Sequence, residues 1–283
     1  MNANNPSAQQ SAVAAFRALH ESGCFILPNP WDAGTAVYLR QLGFKALAST
    51  SAGAAFARGR ADDTPALPLH DMLAHLREIV DATALPVNAD FQEGYADEPE
   101  GVAANVTLCL EAGVAGLSIE DNSGRSDAPL YEKHLAVERI KAARAAIDGS
   151  GMPVILTGRC EAWLVGAENP LRVALDRLAA YAEAGADCLY APGVREPGEI
   201  EQIVKAVAPR PVNVLVSRPG PDLSLAHLTD LGVRRISVGS ALALVAWGAF
   251  TRAARAIAST GTFDALAEAL PYSEINDLFR ARK

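Results

Sequence analysis

The stretch "EAGVAGLSIEDN" at 111–122 carries the pattern that decides the fold. A helix-like segment stops at Gly113, two residues pass, and a short apolar run, GLSIE, ends in polar residues. The pattern returns in "QLGFKALASTSAG" (41–53), "EAGADCLYAPGV" (183–194) and "DLGVRRISVGSA" (230–241). Gly43, Gly113, Gly185 and Gly232 each suit the left-handed position that ends a helix. The runs after them (KALAS, GLSIE, CLYA, RISVG) are short and close to continuous, as in strands buried on both faces.

Four more strands lie beside prolines, in "CFILPNPWD", "LPVNADF", "MPVILTGR" and "RPVNVLVSR". The set predicts strands at 24–28, 45–50, 86–91, 115–120, 153–158, 187–191, 211–216 and 234–239. Helical patterns separate them at 69–82, 100–112, 132–147, 170–184, 196–207 and 223–231. Strands alternating with helices at this spacing give right-handed βαβ units and a parallel sheet. Eight such units predict an α/β fold, a (β/α)8 TIM barrel, with a doubly wound sheet as the alternative. No linker divides the chain, so residues 1–283 read as one domain. Its segment 241–283 opens with "ALALVAWGAFTRAARAIA", more apolar than a one-sided surface helix needs. That helix is either the last of the barrel or a subunit contact.

The 283 residues are half apolar, enough for a large core, with a net charge of −8 and a pI near 5.2. This acidity argues against a nucleic-acid surface but leaves an anionic small-molecule substrate open. The four cysteines form no CxxC pair, so a reduced cytoplasmic setting is expected rather than zinc or disulfides. The polar start, MNANNPSAQQS, has no apolar core of a signal peptide, and no uninterrupted apolar run would span a bilayer. A soluble protein without a membrane or nucleic-acid partner is expected.

In a TIM barrel the chemistry sits at the C-terminal ends of the strands. Those ends supply Asn29, Trp31 and Asp32, then Ser49, Thr50 and Ser51, then Asp90 and Gln92. Glu120, Asp121 and Asn122 follow, then Arg159 and Glu161, then Tyr190, Asn213 with Arg218, and Ser240. Asp90 and Glu120 end adjacent strands, and two facing acids with an amide and water suit a hard cation such as Mg²⁺. Each acid alone could instead cap a helix or a turn. Arg159 is a natural partner for a substrate carboxylate, or else pairs with Glu161 or Glu120. The hydroxyls and small residues of "STSAG" could cradle an oxyanion. The five histidines read as surface or capping residues, and Cys160 could point either way.

Together these strand ends resemble the isocitrate lyase/phosphoenolpyruvate mutase superfamily. The similarity runs from "NPWDAGTAVYLRQLGFKALASTSAG" through "GRAD", "VNADFQEGY", "GLSIED", "TGRCEAW" and "GADCLYAPG" to "VNVLV" and "GSALA". It is similar above all to divergent members of the carboxyvinyl-carboxyphosphonate phosphorylmutase-like and 2,3-dimethylmalate lyase-like kind. The resemblance implies Mg²⁺ (Mn²⁺ being possible), a small 2-oxo or 2-hydroxy carboxylate, and a homo-oligomer, a dimer of dimers exchanging C-terminal helices. Asp90 matches a direct metal ligand, and Gln92 stands where the family motif has a second acid. Glu120 and Asp62 match acids of the metal's water shell, and Arg159 matches the carboxylate-binding arginine. Thr50, Ser51 and Ala52 fall on the loop that holds the other carboxylate and the oxo group. Asn213 and Ser240 join the expected substrate-binding set.

The chain also departs from the pattern. The lyase K-[KR]-C-G-[HK] loop is replaced by "DNSGRSDAPLYEK" (121–133), which has no cysteine. Lysine and asparagine are needed there by the phosphonate enzymes; here Asn122 is present, but the first lysine is Lys133. Ser240 stands in place of a late histidine of the oxaloacetate decarboxylase branch. The implied activity is a Mg²⁺-dependent lyase or decarboxylase that breaks a C–C bond of a dicarboxylate through a metal-stabilised enolate. The alternatives are phosphonopyruvate-type C–P cleavage and a 2-oxo acid-binding protein without turnover. Tyr190, Glu161 and a residue of the 121–131 loop closing as a lid are the candidates for the general acid; Arg125 in that loop could supply charge or stay solvated.

Overall fold

The computed structural model describes residues 6–220 and 223–280. Residues 1–5 of the polar start, and with them part of the signal-peptide reading, lie outside the described residues. The strands are β1 (Phe25–Leu27), β2 (Leu47–Ala48), β3 (Val87–Asp90), β4 (Gly116–Glu120), β5 (Ile155–Arg159), β6 (Cys188–Tyr190), β7 (Val212–Leu215) and β8 (Arg235–Ser237). Their order in the sheet is β1-β8-β7-β6-β5-β4-β3-β2, and every pairing is parallel. Between β1 and β2 one bond, from Ala48 N–H to Pro28 O at 3.0 Å, nearly closes the ring. Sequential order around a ring is the (β/α)8 barrel, not a doubly wound sheet.

The helices are α1 (Pro6–Glu21), α2 (Ala33–Gln41), α3 (Ser51–Ala57), α4 (Leu69–Ala82), α5 (Pro99–Glu111), α6 (Lys133–Gly149), α7 (Pro170–Glu183), α8 (Pro197–Val207), α9 (Leu225–Asp230), α10 (Ala241–Thr260) and α11 (Tyr272–Arg280). The four helix-ending glycines sit at φ 87°, 89°, 105° and 85°, a region open to glycine at little cost. Several strands are shorter than expected because the residues at their ends already serve the next turn. Thr50, expected in β2, instead caps α3, its Oγ1 accepting the Gly53 N–H at 3.2 Å. Arg159, expected after its strand, is the last residue of β5.

Two histidines correct the expectation of surface or capping roles. His75 falls on the core stripe of α4 with Met72, Leu76 and Ile79, and burial lowers its pKa to about 4. His20 stands edge-on to Phe16 and Phe25, with centroids 4.6 and 5.1 Å away. His70 and His134 are exposed.

α10 departs furthest from a barrel helix. Among its described residues only Ala243 is buried, while Leu244, Val245, Trp247 and Phe250 face outward. By length and composition it is apolar enough to cross a membrane, although Arg252 and Arg255 interrupt it. α11 returns to α2, where Gln41 Nε2 donates to Leu278 O at 2.7 Å.

Candidate active site

A cavity of about 170 Å³ opens among the strand ends, a size that suits a small acid. It is lined by Thr50, Ser51, Ala52, Asp62, Asp90 and Arg159 together with Tyr190, Asn213 and Ser240. The barrel brings these together because parallel strands all end at one rim.

Arg159 is the hub. Its Nη1 lies 3.0 Å from both Asp90 Oδ1 and Glu120 Oε2, and its Nε donates to Glu161 Oε1 at 2.5 Å. Tyr190 presents its ring 5.3 Å from the guanidinium carbon. Both ion pairs that the sequence left as alternatives therefore exist, and Asp90 adds a third. No hydrogen bond from Nη2 is made among the described residues. Burial pushes Glu120 well above the usual carboxylate range and Glu161 upward. Burial alone would lower Arg159, but Glu120, Glu161 and Asp90 more than offset it and hold its proton. Burial likewise pushes Tyr190 up to about 12, against the pull of Arg159.

Asp90 is held from two directions. Its Oδ2 accepts the Ser51 N–H at 2.9 Å, and its own N–H donates to Ser49 Oγ at 2.9 Å. Asp62 stands at the rim, its Oδ1 3.3 Å from Ser51 Oγ. Loss of water, and then the charge of Asp90, pushes Asp62 up to about 6. Among the described residues no three His, Cys, Asp or Glu side chains form a direct metal-binding group. A pair of mutually repelling carboxylates, with oxygen donors only, nonetheless fits Mg²⁺, which takes few protein ligands and keeps its waters.

Gln92 does not join that pair. Its Oε1 accepts the Ala66 N–H at 2.8 Å and its Nε2 donates to Asp63 O at 3.1 Å, so both ends of the amide are committed to the 63–66 loop. The residue has φ 44°, which ends the strand alternation and turns the side chain away from the cavity. This corrects the placement of Gln92 beside a metal. Glu93 is also buried outside the cavity, and its Oε2 has no hydrogen-bond partner among the described residues.

Asn213 gives Nδ2 to Ser237 Oγ at 2.9 Å and accepts from Arg235 Nε at 3.0 Å. Asp121, a strand-end acid, turns its carboxylate behind the site. It accepts from Glu161 N–H at 2.8 Å, Tyr181 OH at 2.6 Å and Arg177 at 3.1 Å. Cys160 is fully buried beside it and its thiol is pushed well up, first by burial and then by Asp121. A thiol held protonated away from the cavity is not a nucleophile. Arg125 lies outside, 5.9 Å from the Tyr131 ring centroid, and Lys133 pairs with Asp176 at 2.6 Å.

Sequence reasoning missed Arg177, Tyr181 and Arg235. For Arg235 a signal existed: two adjacent arginines, Arg234 and Arg235, lead into β8, and alternation turns one of them into the barrel.

At this barrel rim one arginine meets three carboxylates beside a hydroxyl-rich loop, which makes it a charged, polar pocket at the strand ends. Residues 16–258 match the family model described as phosphoenolpyruvate phosphomutase. The chain is similar in structure to a candidate lyase/mutase from Burkholderia cenocepacia J2315, with a TM-score of 0.91 and 47% identity over 96% of this chain and 97% of that one. It is 30% identical to the 2-methylisocitrate lyase of Escherichia coli K12, over 68% of this chain and 66% of the relative. It is 32% identical to the oxaloacetate decarboxylase of Rhodopseudomonas palustris BisB5, over 79% and 76%. The chain belongs to the phosphoenolpyruvate phosphomutase family, within the isocitrate lyase/PEP mutase superfamily, and is an enzyme of that group.

Proposed function

We propose that the chain is a cytoplasmic Mg²⁺-dependent lyase or decarboxylase that breaks a C–C bond of a small 2-oxo or 2-hydroxy dicarboxylate. The observation that carries this reading is Arg159, with Nε and Nη1 taken by three carboxylates and Nη2 left for a substrate carboxylate. Similarity to a methylisocitrate lyase and an oxaloacetate decarboxylase supports C–C chemistry. Asp90 and Asp62 would hold the ion, with Glu120 behind them. When bound, Mg²⁺ supplies Lewis-acid polarisation of the substrate oxygen beside the breaking bond.

The chain's own residues do the rest. Arg159 fixes the carboxylate, and its three acids hold the guanidinium plane in place. Thr50, Ser51 and Ala52 line the same cavity and would face the substrate oxygen. Tyr190 is the favoured proton donor: it lines the cavity and keeps its phenolic proton through neutral pH. Glu161 is turned onto Arg159 Nε, and Asn122 ties the 121–131 loop to Thr64 Oγ1 at 3.2 Å.

A panel of oxaloacetate, 2,3-dimethylmalate, methylisocitrate and phosphonopyruvate, with and without Mg²⁺, tests the reading. Mg²⁺-dependent 2-oxo acid release from a C–C substrate is expected. Phosphate release from phosphonopyruvate alone would favour C–P chemistry, and Mg²⁺-dependent binding without turnover would favour a binding protein.

A further inference from the structure

Arg235 opens β8 with its side chain inside the barrel, 2% exposed. Its Nε donates to Asn213 Oδ1 and its Nη2 to Thr157 Oγ1, both at 3.0 Å, and its Nη1 lies 3.3 Å from His20 Nε2. All three partners are neutral: an amide, a hydroxyl and an imidazole. The imidazole is held down to about 3 first by burial and then by the charge of Arg235. Three of the five guanidinium N–H groups are thereby used. Among the described residues no carboxylate pairs with it.

Arg235 and Arg159 are the two arginines that line the cavity. They are opposites. Arg159, at the rim, is matched by Asp90, Glu120 and Glu161. Arg235, on the floor with Asn213, Ser237 and Ser118, has no counter-charge at all. A guanidinium taken out of water without an anion is strongly disfavoured unless something else brings the charge. The interior layers of such barrels are ordinarily filled by branched apolar side chains, so the site is not a packing default.

We propose that Arg235 anchors a second anionic group of the substrate, a carboxylate that reaches the barrel floor while the first is held at Arg159. The inference rests on the reading that the cavity takes a 2-oxo or 2-hydroxy acid, and it assigns the residue that selects a dianion over a monoanion. The rival account makes Arg235 a structural tie between β5, β7 and α1.

Calorimetry on the full chain with Mg²⁺ separates the two, using pyruvate as monoanion, 2-oxoglutarate as 2-oxo dianion and succinate as plain dianion. Wild type should prefer 2-oxoglutarate to pyruvate. Arg235→Met should weaken 2-oxoglutarate about tenfold or more, the scale of a charge-assisted bond, and move pyruvate by less than about twofold. Arg235→Lys should keep most of the preference. Asn213→Asp places a carboxylate against Nε and should erase the preference without emptying the floor, so it carries the test if Arg235→Met fails to fold. Equal losses for pyruvate and 2-oxoglutarate, or an unchanged preference in Asn213→Asp, would overturn the proposal. If wild type binds succinate through Arg235 but not pyruvate, the 2-oxo acid reading fails and the subsite stands. If pyruvate binds and dianions gain nothing from Arg235, the subsite fails and the reading stands. If no probe binds, both fall.

Discussion

Asp62 shows how the site is poised before anything binds. Its carboxyl is raised from an ordinary 3.8 to about 6, so between those values the folded chain holds a proton that the unfolded chain has released. Asp62 therefore favours folding fully below about pH 4, and that support is lost as the pH rises to about 6. Asp62→Asn should melt higher than wild type at pH 7.5 and converge with it below about pH 4. A pH series of melting curves checks this, and a constant offset would contradict it. The rise in melting temperature given by Mg²⁺ should fade over the same window, because the proton and the cation compete for one carboxylate. Asp121 works from behind the site. Removing its carboxylate strands the Arg177 guanidinium, the Tyr181 hydroxyl and the Glu161 N–H. Asp121→Ala should cost about 3–5 kcal/mol in urea unfolding, the range for breaking a buried ion pair.

At the scale of elements, the loop around 63–66 is tied by two side chains beyond strand ends, Gln92 after β3 and Asn122 after β4. Gln92 accepts from Ala66 N–H and donates to Asp63 O, holding the loop that carries Asp62. Gln92→Ala should cost about 1–2 kcal/mol and quicken proteolysis between residues 58 and 66, leaving far-UV circular dichroism intact. Unchanged cleavage would show that the loop holds itself. This element also shows what the sequence conceals. Asp90, Glu120, Arg159 and Tyr190 were legible because the barrel gathers strand ends at one rim. Gln92 was not, because its left-handed backbone breaks the alternation by which its direction was read. His75 escaped for a different reason: a polar residue on the apolar stripe of α4 looks like a surface residue until helix phase is weighed above residue type. Arg235 was not legible because Arg234 stands beside it, and only the register of β8 decides which of the two enters the barrel.

For the whole molecule, the barrel accounts for the described chain up to β8, and α10 is the part that a monomer leaves unfinished. Val245 is 71% and Phe250 61% exposed, alongside Leu244 and Trp247. An apolar face of this extent marks an interaction surface. We propose that it mates with another copy, giving the dimer of dimers expected for a single-domain chain whose segment 241–283 serves assembly. Ser240, the N-cap residue of α10, lies on the cavity wall, so this face and the site share a helix. Val245→Asp with Phe250→Asp should lower the sedimentation coefficient and keep the melting transition of the barrel. An unchanged coefficient would leave the face without this role.

The account turns on one claim: the anion site at the rim cleaves a C–C bond with Mg²⁺ held through Asp90. The most direct measurement is steady-state release of the 2-oxo acid product from the best C–C substrate of the panel, across a Mg²⁺ titration, for wild type and Asp90→Ala. The account predicts saturable activation by Mg²⁺ in wild type and a loss of about 100-fold or more in the variant, the scale of removing an electrostatic anchor. Full metal-dependent turnover in Asp90→Ala would contradict it.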